Sequence, residues 1–139
     1  MEADMNIALM SHDGKKELMV QFCIAYCGIF AGHNICATKT TGKLVSESTG
    51  LPVTTYLTGQ QGGVQQIAAR IAYNEIDLVL FFCDPDNTNP ADLNAVNEIC
   101  RLCDRYSIPC ATNLATAEVL VQGLRRGDLD WRKIVNPMN

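Results

Sequence analysis

The sequence lacks the features that mark nucleic-acid-binding proteins. Aromatic residues make up only 6% of its 139 residues, and positive charge is not in excess. The chain has 11 lysines and arginines against 15 acidic residues, which gives a formal net charge of −4. Because nucleic-acid surfaces neutralise phosphates with clustered basic side chains, we expect no nucleic-acid polymer as a partner.

The sequence also lacks an apolar run of the roughly 20 residues that a membrane helix needs. Its start, MEADMNIALM, has neither the basic segment nor the cleavage-like site of a secretion signal. We therefore expect no membrane association and a cytoplasmic location. A hydrophobic content of 47% is enough for a sizeable core, which predicts one globular domain over residues 1–139.

The seven cysteines do not form a metal-binding pattern. Cys23 and Cys27 are four residues apart and Cys100 and Cys103 are three apart, which are spacings along one helical face. Both pairs lie in apolar runs, and no second CxxC or histidine cluster accompanies them. We expect buried, reduced thiols, with no metal and no cofactor.

Short apolar runs alternate with longer amphipathic runs along the chain. This alternation predicts an α/β fold with a Rossmann-like, doubly wound and mainly parallel sheet. The predicted strands are 5–10, 34–38, 52–57, 76–83 and 108–112, with 131–135 (WRKIV) as a candidate last strand. The predicted helices are 15–30, 41–49, 63–74, 93–106 and 117–124. Phe30 and Trp131 are candidates for the core or for a subunit interface, and we prefer the core.

A small, polar, turn-forming segment follows each of the first five predicted strands. These segments are SHDGKK, TKTTGK, TGQQGG, DPDNTNP and TNLAT. Parallel sheets bind ligands beyond the carboxyl ends of their strands, so the five segments are predicted to converge on one pocket.

The composition of these segments predicts a phosphate site. They offer threonine hydroxyls, glycines that let backbone N–H groups approach a ligand, two lysines and the positive ends of helix dipoles. The candidate ligand-binding residues are Lys16, Thr38, Lys39, Thr40, Thr41, Thr58, Gly59, Gly62, Gly63 and Asp84. Each also has a purely structural interpretation as a cap, a turn or a solvated lysine, and the coincidence of five segments favours the site.

Five segments, SHDGKK, ATKTTGKL, TGQQGGVQQ, FFCDP and IPCATNLATAE, resemble the methylglyoxal synthase family, in the same order and across nearly the whole chain. The resemblance implies a Rossmann-like sheet, a homohexamer, and conversion of dihydroxyacetone phosphate to methylglyoxal and phosphate. It also implies a relation to domains that bind nucleotides as allosteric sensors. A nucleotide and a triose phosphate are therefore both candidate ligands.

The resemblance further implies that the phosphate-binding positions are retained. Thr58 replaces a usual serine and keeps its hydroxyl. The positions that match the family's ligand-holding residues are Lys16, Thr38, Thr40, Thr41 and Gly59. His12 and Asp13 also match, and they are the candidate catalytic residues.

The departures from the family lie where the chemistry is expected. The family's GGDQQ segment carries the aspartate that removes a proton next to the substrate carbonyl, and Val64 occupies that position. The family's PHxxD segment is one residue longer here, which places Ala91 at its histidine and Asn94 or Ala95 at its aspartate. Lys39 replaces a glycine, and the ending IVNPMN lacks the family's basic tail. Losing these carboxylates predicts a wider, less acidic pocket.

Three hypotheses follow from this pattern. The first is a protein that senses or sequesters a phosphorylated small molecule and has lost lyase activity. The second is an active methylglyoxal synthase, or a lyase of altered substrate, with Asp13, Asp86 or Asp92 as the base. The third is a structural or regulatory subunit that joins an active homologue in a mixed hexamer.

Overall fold

The fold is a five-stranded, all-parallel sheet with helices on both faces. The computed structural model describes residues 5–135. The strands are β1 (Asn6–Ser11), β2 (Asn34–Ala37), β3 (Val53–Thr55), β4 (Leu78–Phe82) and β5 (Cys110–Ala111), in the spatial order β3-β2-β1-β4-β5. The helices are α1 (Lys16–Ala25), α2 (Cys27–Phe30), α3 (Lys39–Thr49), α4 (Gly63–Ala72), α5 (Pro90–Tyr106), α6 (Leu114–Arg126) and α7 (Arg132–Val135).

Alternation along the central strands divides the apolar residues between two cores. In β1, Ile7 and Leu9 pack into one core, whereas Ala8 and Met10 pack into the other. Because successive side chains of a strand point to opposite faces, a strand covered on both sides must be apolar throughout. All five residues of β4 are buried for this reason.

Different helices cover the two faces. Met19 of α1, Val45 of α3 and Val121 of α6 belong to the first core. Ile67 of α4 and Ile99 of α5 belong to the second. The predicted α/β class, with a doubly wound parallel sheet, is confirmed.

The strand order determines where loops meet. β1 lies between β2 and β4, and it is paired in parallel with both. The chain runs outward from β1 to β3, then crosses back through α4 to β4 on the other side of β1. Such a reversal opens a crevice at the carboxyl ends of the two strands that flank it.

Several helix boundaries differ from those predicted. The single helix predicted over 15–30 is interrupted at Tyr26, whose φ and ψ of −112° and 19° lie outside the helical range. Helix α5 begins at Pro90 rather than at residue 93, because the Asn89 side chain caps it. Helix α6 begins at Leu114 with Asn113 as its cap.

The predicted last strand is wrong. Residues Arg132–Val135 form a short helix, and Arg132 is fully buried at the amino edge of the sheet. Its guanidinium donates to the carbonyls of Tyr106 and Ile76 and pairs with Asp77 Oδ1 at 3.4 Å. These acceptors hold the segment away from a sixth strand position.

Of the two aromatic residues assigned to the core, one prediction is confirmed and one is wrong. Phe30 is 1% exposed and packs in the first core. Trp131 is 44% exposed, with the Arg132 guanidinium 5.5 Å from the centre of its ring. Trp131 is displaced outward because its neighbour takes the buried position.

All seven cysteines are free thiols, and three of them are buried. Burial raises the pKa of Cys23 to about 12 and that of Cys36 to about 11, because a thiolate would lose its hydration there. Within residues 5–135, no helix is long and apolar enough to cross a bilayer. The tail residues 136–139 lie outside the described part of the chain.

We predict that Arg132→Met lowers the free energy of unfolding by about 3–5 kcal/mol, because it breaks the fully buried ion pair with Asp77. Urea denaturation measures this loss. The matched control is Arg126→Met, which breaks an exposed ion pair with Asp128 and costs at most about 1 kcal/mol. Equal losses in the two variants would contradict the structural role of Arg132.

Candidate functional site

A cavity of about 1140 Å³ lies at the carboxyl ends of the strands. Residues from the loops after β1, β2, β3 and β4 line it, together with the first turns of the helices that follow. The lining residues are Met10, Ser11, His12, Asp13, Gly14, Lys16, Thr38, Thr40, Thr58, Gly59, Gln60, Gln61, Gly62, Val64, Gln65, Phe81, Asp84, Asn87, Asn89, Ala91, Asp92 and Ala95.

The fifth polar segment, TNLAT, does not contribute to this lining. Four of the five predicted segments therefore meet at the cavity. Its Asn113 accepts a hydrogen bond from the Thr116 N–H at 3.0 Å and so caps α6. The Thr112 carbonyl accepts from the Cys83 N–H at 3.1 Å. The segment therefore has a structural role next to the edge strand.

The loop after β2 presents hydrogen-bond donors to the cavity. Thr38 occupies the N-cap position of α3, yet its hydroxyl makes no capping bond, and the residue is only 7% exposed. Thr40 lies in the first turn of the helix and also lines the cavity. The N–H groups of a first helical turn have no acceptor within the helix, so this end attracts an anion.

Two residues predicted on the same loop do not reach the cavity lining. Thr41 is 1% exposed, and its hydroxyl lies 3.2 Å from Ser11 Oγ, so it joins two loops behind the cavity. The Lys39 side chain is exposed, while its N–H donates to the Leu57 carbonyl at 3.2 Å. Helical spacing turns both side chains away from Thr40.

The loop after β3 is tightly folded. The Thr58 hydroxyl accepts from the Gln61 N–H at 3.2 Å, and the Gln61 side chain accepts from the Thr58 N–H. Gly62 has a φ of 101°, which favours glycine. A Cβ on Gly63 would overlap the Leu57 carbonyl. Thr58, Gly59 and Gly62 line the cavity. Gly63 is outside the lining and packs against the backbone of Leu57.

The loop after β1 supplies the lysine of the cavity. Lys16 Nζ donates to Asp13 Oδ1 at 2.8 Å and to the Ser11 carbonyl at 3.2 Å. This hydrogen bond and the lysine charge lower the pKa of Asp13 below its ordinary value. The Asp13 side chain is 92% exposed, so its carboxylate is accessible to a ligand.

His12 is buried at the back of the cavity with one ring nitrogen unpaired. Its Nδ1 accepts from the Asp84 N–H at 2.9 Å, so the ring proton of the neutral imidazole is on Nε2. Among residues 5–135, Nε2 has no hydrogen-bond partner, and the ring is 5.5 Å from Phe81 in an edge-on contact. The site therefore contains an unused donor that suits a ligand oxygen.

Asp84 connects the loops after β1 and β4. Its Oδ1 accepts from the Asp86 N–H at 2.9 Å. Its Oδ2 lies against Gly14, and a Cβ at residue 14 would overlap that oxygen. The close contact fixes the Asp84 carboxylate at the border of the two loops.

A hydrogen-bonded network that the sequence analysis missed holds the start of α5. Asn87 donates to Asp92 Oδ2 at 2.9 Å, and Asn89 Oδ1 accepts from the N–H groups of Ala91 and Asp92. The sequence signal was available, because asparagine followed by proline is typical of an N-cap and first helical residue.

Residues 91–95 divide between two sides of α5. Ala91, Asp92 and Ala95 line the cavity, whereas Asn94 faces away, toward a separate shallow depression that includes Glu98 and Arg101. Ala95 thus takes the cavity-facing position rather than Asn94. The alternative base Asp86 is also absent from the lining, but Asp92 is present.

Val64 lies in the cavity wall, 8% exposed, at the second residue of α4. Acidic side chains nevertheless share this cavity wall. Three carboxylates, from Asp13, Asp84 and Asp92, line the same cavity with one lysine, Lys16. In the described part of the chain, no group of histidine, cysteine and acidic side chains is arranged to hold a metal.

A family model described as "MGS-like domain" matches residues 19–112. The chain belongs to this family. It is 57% identical over 133 residues to the methylglyoxal synthase of Caldicellulosiruptor saccharolyticus, covering 96% of this chain and 94% of that protein. It is 53% identical over 130 residues to the methylglyoxal synthase of Bacillus anthracis, covering 94% and 98%.

A solved structure is similar across most of this MGS-like domain. The crystal structure of methylglyoxal synthase from Elizabethkingia anophelis NUHP1 aligns with a TM-score of 0.78 and 38% identity. The alignment covers 86% of this chain and 78% of that one. The family membership inferred from the loop segments is confirmed.

We predict that Gly14→Ala lowers the free energy of unfolding by about 1 kcal/mol, because the new methyl group displaces the Asp84 carboxylate and breaks its bond to the Asp86 N–H. Thermal unfolding measures the loss. Gly28→Ala is the control, since a Cβ there meets open space and stabilises a helix by about 0.5–1 kcal/mol. A Gly14→Ala protein as stable as the wild type would contradict the contact.

Proposed function

We propose that this MGS-like protein binds a phosphorylated small molecule in the cavity at the carboxyl ends of the strands. The observation that carries the proposal is the placement of Lys16, Thr38, Thr40 and Thr58 on one lining. Charge-assisted hydrogen bonds from lysine and from helix-terminal N–H groups are the usual means of holding phosphate.

The Lys16–Asp13 pair gives this binding its electrostatic character. A phosphate that reaches Lys16 competes with Asp13 for the ammonium group at 2.8 Å. Because the Asp13 side chain is 92% exposed, its carboxylate is solvated by water once released, and the exchange costs little. The Lys16 ammonium group can therefore exchange its ion pair with Asp13 for one with the phosphate of the ligand.

We further propose that lyase activity is weaker than in the relatives named methylglyoxal synthase. The reaction implied by the resemblance begins with removal of a proton next to a carbonyl, and Val64 has no atom that accepts one. A positioned general base contributes about 10²–10⁴-fold to a rate. With binding retained and the base lost, the protein would sense or sequester its ligand.

A second candidate function is favoured by the acidic lining. Asp84 and Asp92 are cavity-facing carboxylates, and Asp13 lies beside Lys16. Any of the three has the chemistry of a substitute base, so an active methylglyoxal synthase, or a lyase of altered substrate, is the alternative. The high identity to enzymes of that name supports it equally.

Assembly and location are proposals on the same footing. We propose a homo-oligomer, a hexamer by family resemblance, in the cytoplasm. Native mass measurement of the purified protein tests the assembly, and co-expression with an active homologue tests the mixed hexamer.

The binding proposal predicts that Lys16→Met weakens dihydroxyacetone phosphate binding by about 10- to 100-fold, the range for one hydrogen bond to a charged group. Isothermal titration calorimetry at pH 7 measures it. Lys43→Met is the matched control, because Lys43 is exposed in α3 and lies outside the cavity lining. Wild-type protein that binds neither this compound nor any other phosphate ester overturns the proposal.

The two functions differ in how the lyase rate responds to residue 64. If the base is missing, Val64→Asp raises methylglyoxal formation from dihydroxyacetone phosphate by at least about 10²-fold. Val64→Asn introduces a side chain of similar size and polarity to aspartate that is not a base. The rate of this variant should therefore equal that of the wild type. A colorimetric assay for methylglyoxal measures both.

The opposite result would establish the alternative. A wild-type rate near that of a methylglyoxal synthase relative assayed in parallel would show that a base is already present. In that case Asp84→Asn, Asp92→Asn or Asp13→Asn should abolish the activity, and the affected variant would identify the base.

A further inference from the structure

The polar groups of the cavity are arranged in the order of the strands. Thr58 follows β3 and Thr38 follows β2, so hydrogen-bond donors occupy one side of the cavity. Asp84 and Asp92 follow β4, on the other side of β1. Since neighbouring strands lie about 4.8 Å apart, the ends of β2 and β4 are separated by about 10 Å. The cavity therefore has a donor side and a carboxylate side.

The carboxylate side has no cation of its own. Within residues 5–135, neither Asp84 nor Asp92 takes part in an ion pair. Each accepts a hydrogen bond from an uncharged amide, Asp84 from the Asp86 N–H and Asp92 from the Asn87 side chain. The lysine of the lining, Lys16, is paired with Asp13. Both carboxylates, of which Asp84 is half-buried and Asp92 is exposed, are therefore available to a cationic group of a ligand.

His12 provides an independent sign that a ligand occupies this cavity. The residue is 7% exposed, and its Nε2 is a buried donor with no partner in the described part of the chain. A buried polar group without a hydrogen bond is costly, which favours a ligand oxygen as its acceptor. Because His12 follows β1, this donor lies between the donor side and the carboxylate side.

The cavity is also large for a three-carbon phosphate. Its volume of about 1140 Å³ exceeds the usual range of about 300–1,000 Å³ for sites that enclose drug-sized ligands. A triose phosphate would leave most of this volume to water, whereas a sugar phosphate reaches from one side to the other.

Given the phosphate binding proposed above, on which this step depends, we infer that the preferred ligand is a phosphate monoester with an ammonium group at its far end. Amino-sugar monophosphates are the chemical class. The phosphate contacts Lys16 and the threonines, a central oxygen accepts from His12 Nε2, and the ammonium group lies against Asp84 and Asp92. Nucleoside triphosphates are disfavoured, because their additional phosphates would approach the two carboxylates.

The test compares two probes that differ in one group. Glucosamine 6-phosphate carries an ammonium group where glucose 6-phosphate carries a hydroxyl. Calorimetry at pH 7 and low salt should give about tenfold tighter binding of the amino sugar, as expected for one charge-assisted hydrogen bond. ATP should bind more weakly than either.

Charge-removing variants locate the effect. Asp92→Asn keeps the size of the side chain and should reduce the tenfold preference to about twofold or less, because the ammonium group loses one of its two carboxylates. Asp128→Asn is the control, because this exposed carboxylate pairs with Arg126 outside the cavity, and the preference should stay at tenfold.

The outcomes separate this inference from the proposed function. Equal binding of the two sugar phosphates, tighter binding of ATP, or a preference unaffected by both Asp92→Asn and Asp84→Asn overturns the inference while phosphate binding stands. Failure of every phosphate compound, dihydroxyacetone phosphate included, overturns both. A preference that is lost only in the cavity variants supports both.

Discussion

β1 is hydrogen-bonded to a parallel strand on each side, and the site depends on this pairing. β2 and β4 place their carboxyl ends beside that of β1. Since both faces of the sheet are covered by helices, the loops at this edge are the places where polar residues gather. The threonines after β2 and β3 and the carboxylates after β4 thus face one cavity although they are distant in sequence.

At the amino ends of the strands, a buried ion pair stabilises the fold. Asp77 precedes β4, and its carboxylate accepts from the Asn6 N–H at the start of β1 and pairs with Arg132. This buried pair joins the last helix to the two central strands. The ion pair that is buried in the sheet therefore lies at the end of the strands away from the cavity.

The sequence predicted the fold well because its signals were local. The apolar run of β4 and the turn-forming segments after the strands each follow from a few adjacent residues. The resemblance to the family identified the same loops. The side of a helix on which a residue lies was harder to predict. Thr41 and Asn94 face away from the cavity because of the residues at which α3 and α5 begin.

The features that could not be predicted involve contacts between distant residues. The burial of Arg132, in the segment predicted as a last strand, depends on acceptors at Asn74, Ile76 and Tyr106. The carboxylates of the cavity wall come from loops that are far apart in the sequence, after β1 and after β4. The position of Asp92 on the cavity wall depends on the start of α5, where Asn87 and Asn89 hydrogen-bond to it.

The contact between His12 and the backbone of Asp84 also determines what the imidazole can recognise. Because Nδ1 accepts a hydrogen bond from the Asp84 N–H, the donor of the neutral ring is Nε2. While the loops stay together, the ring offers only its Nε2–H to the cavity. The main-chain N–H of Asp84 thereby selects the ligand atom at this point: carbonyl and hydroxyl oxygens match the Nε2–H donor, whereas ammonium and amide N–H groups do not.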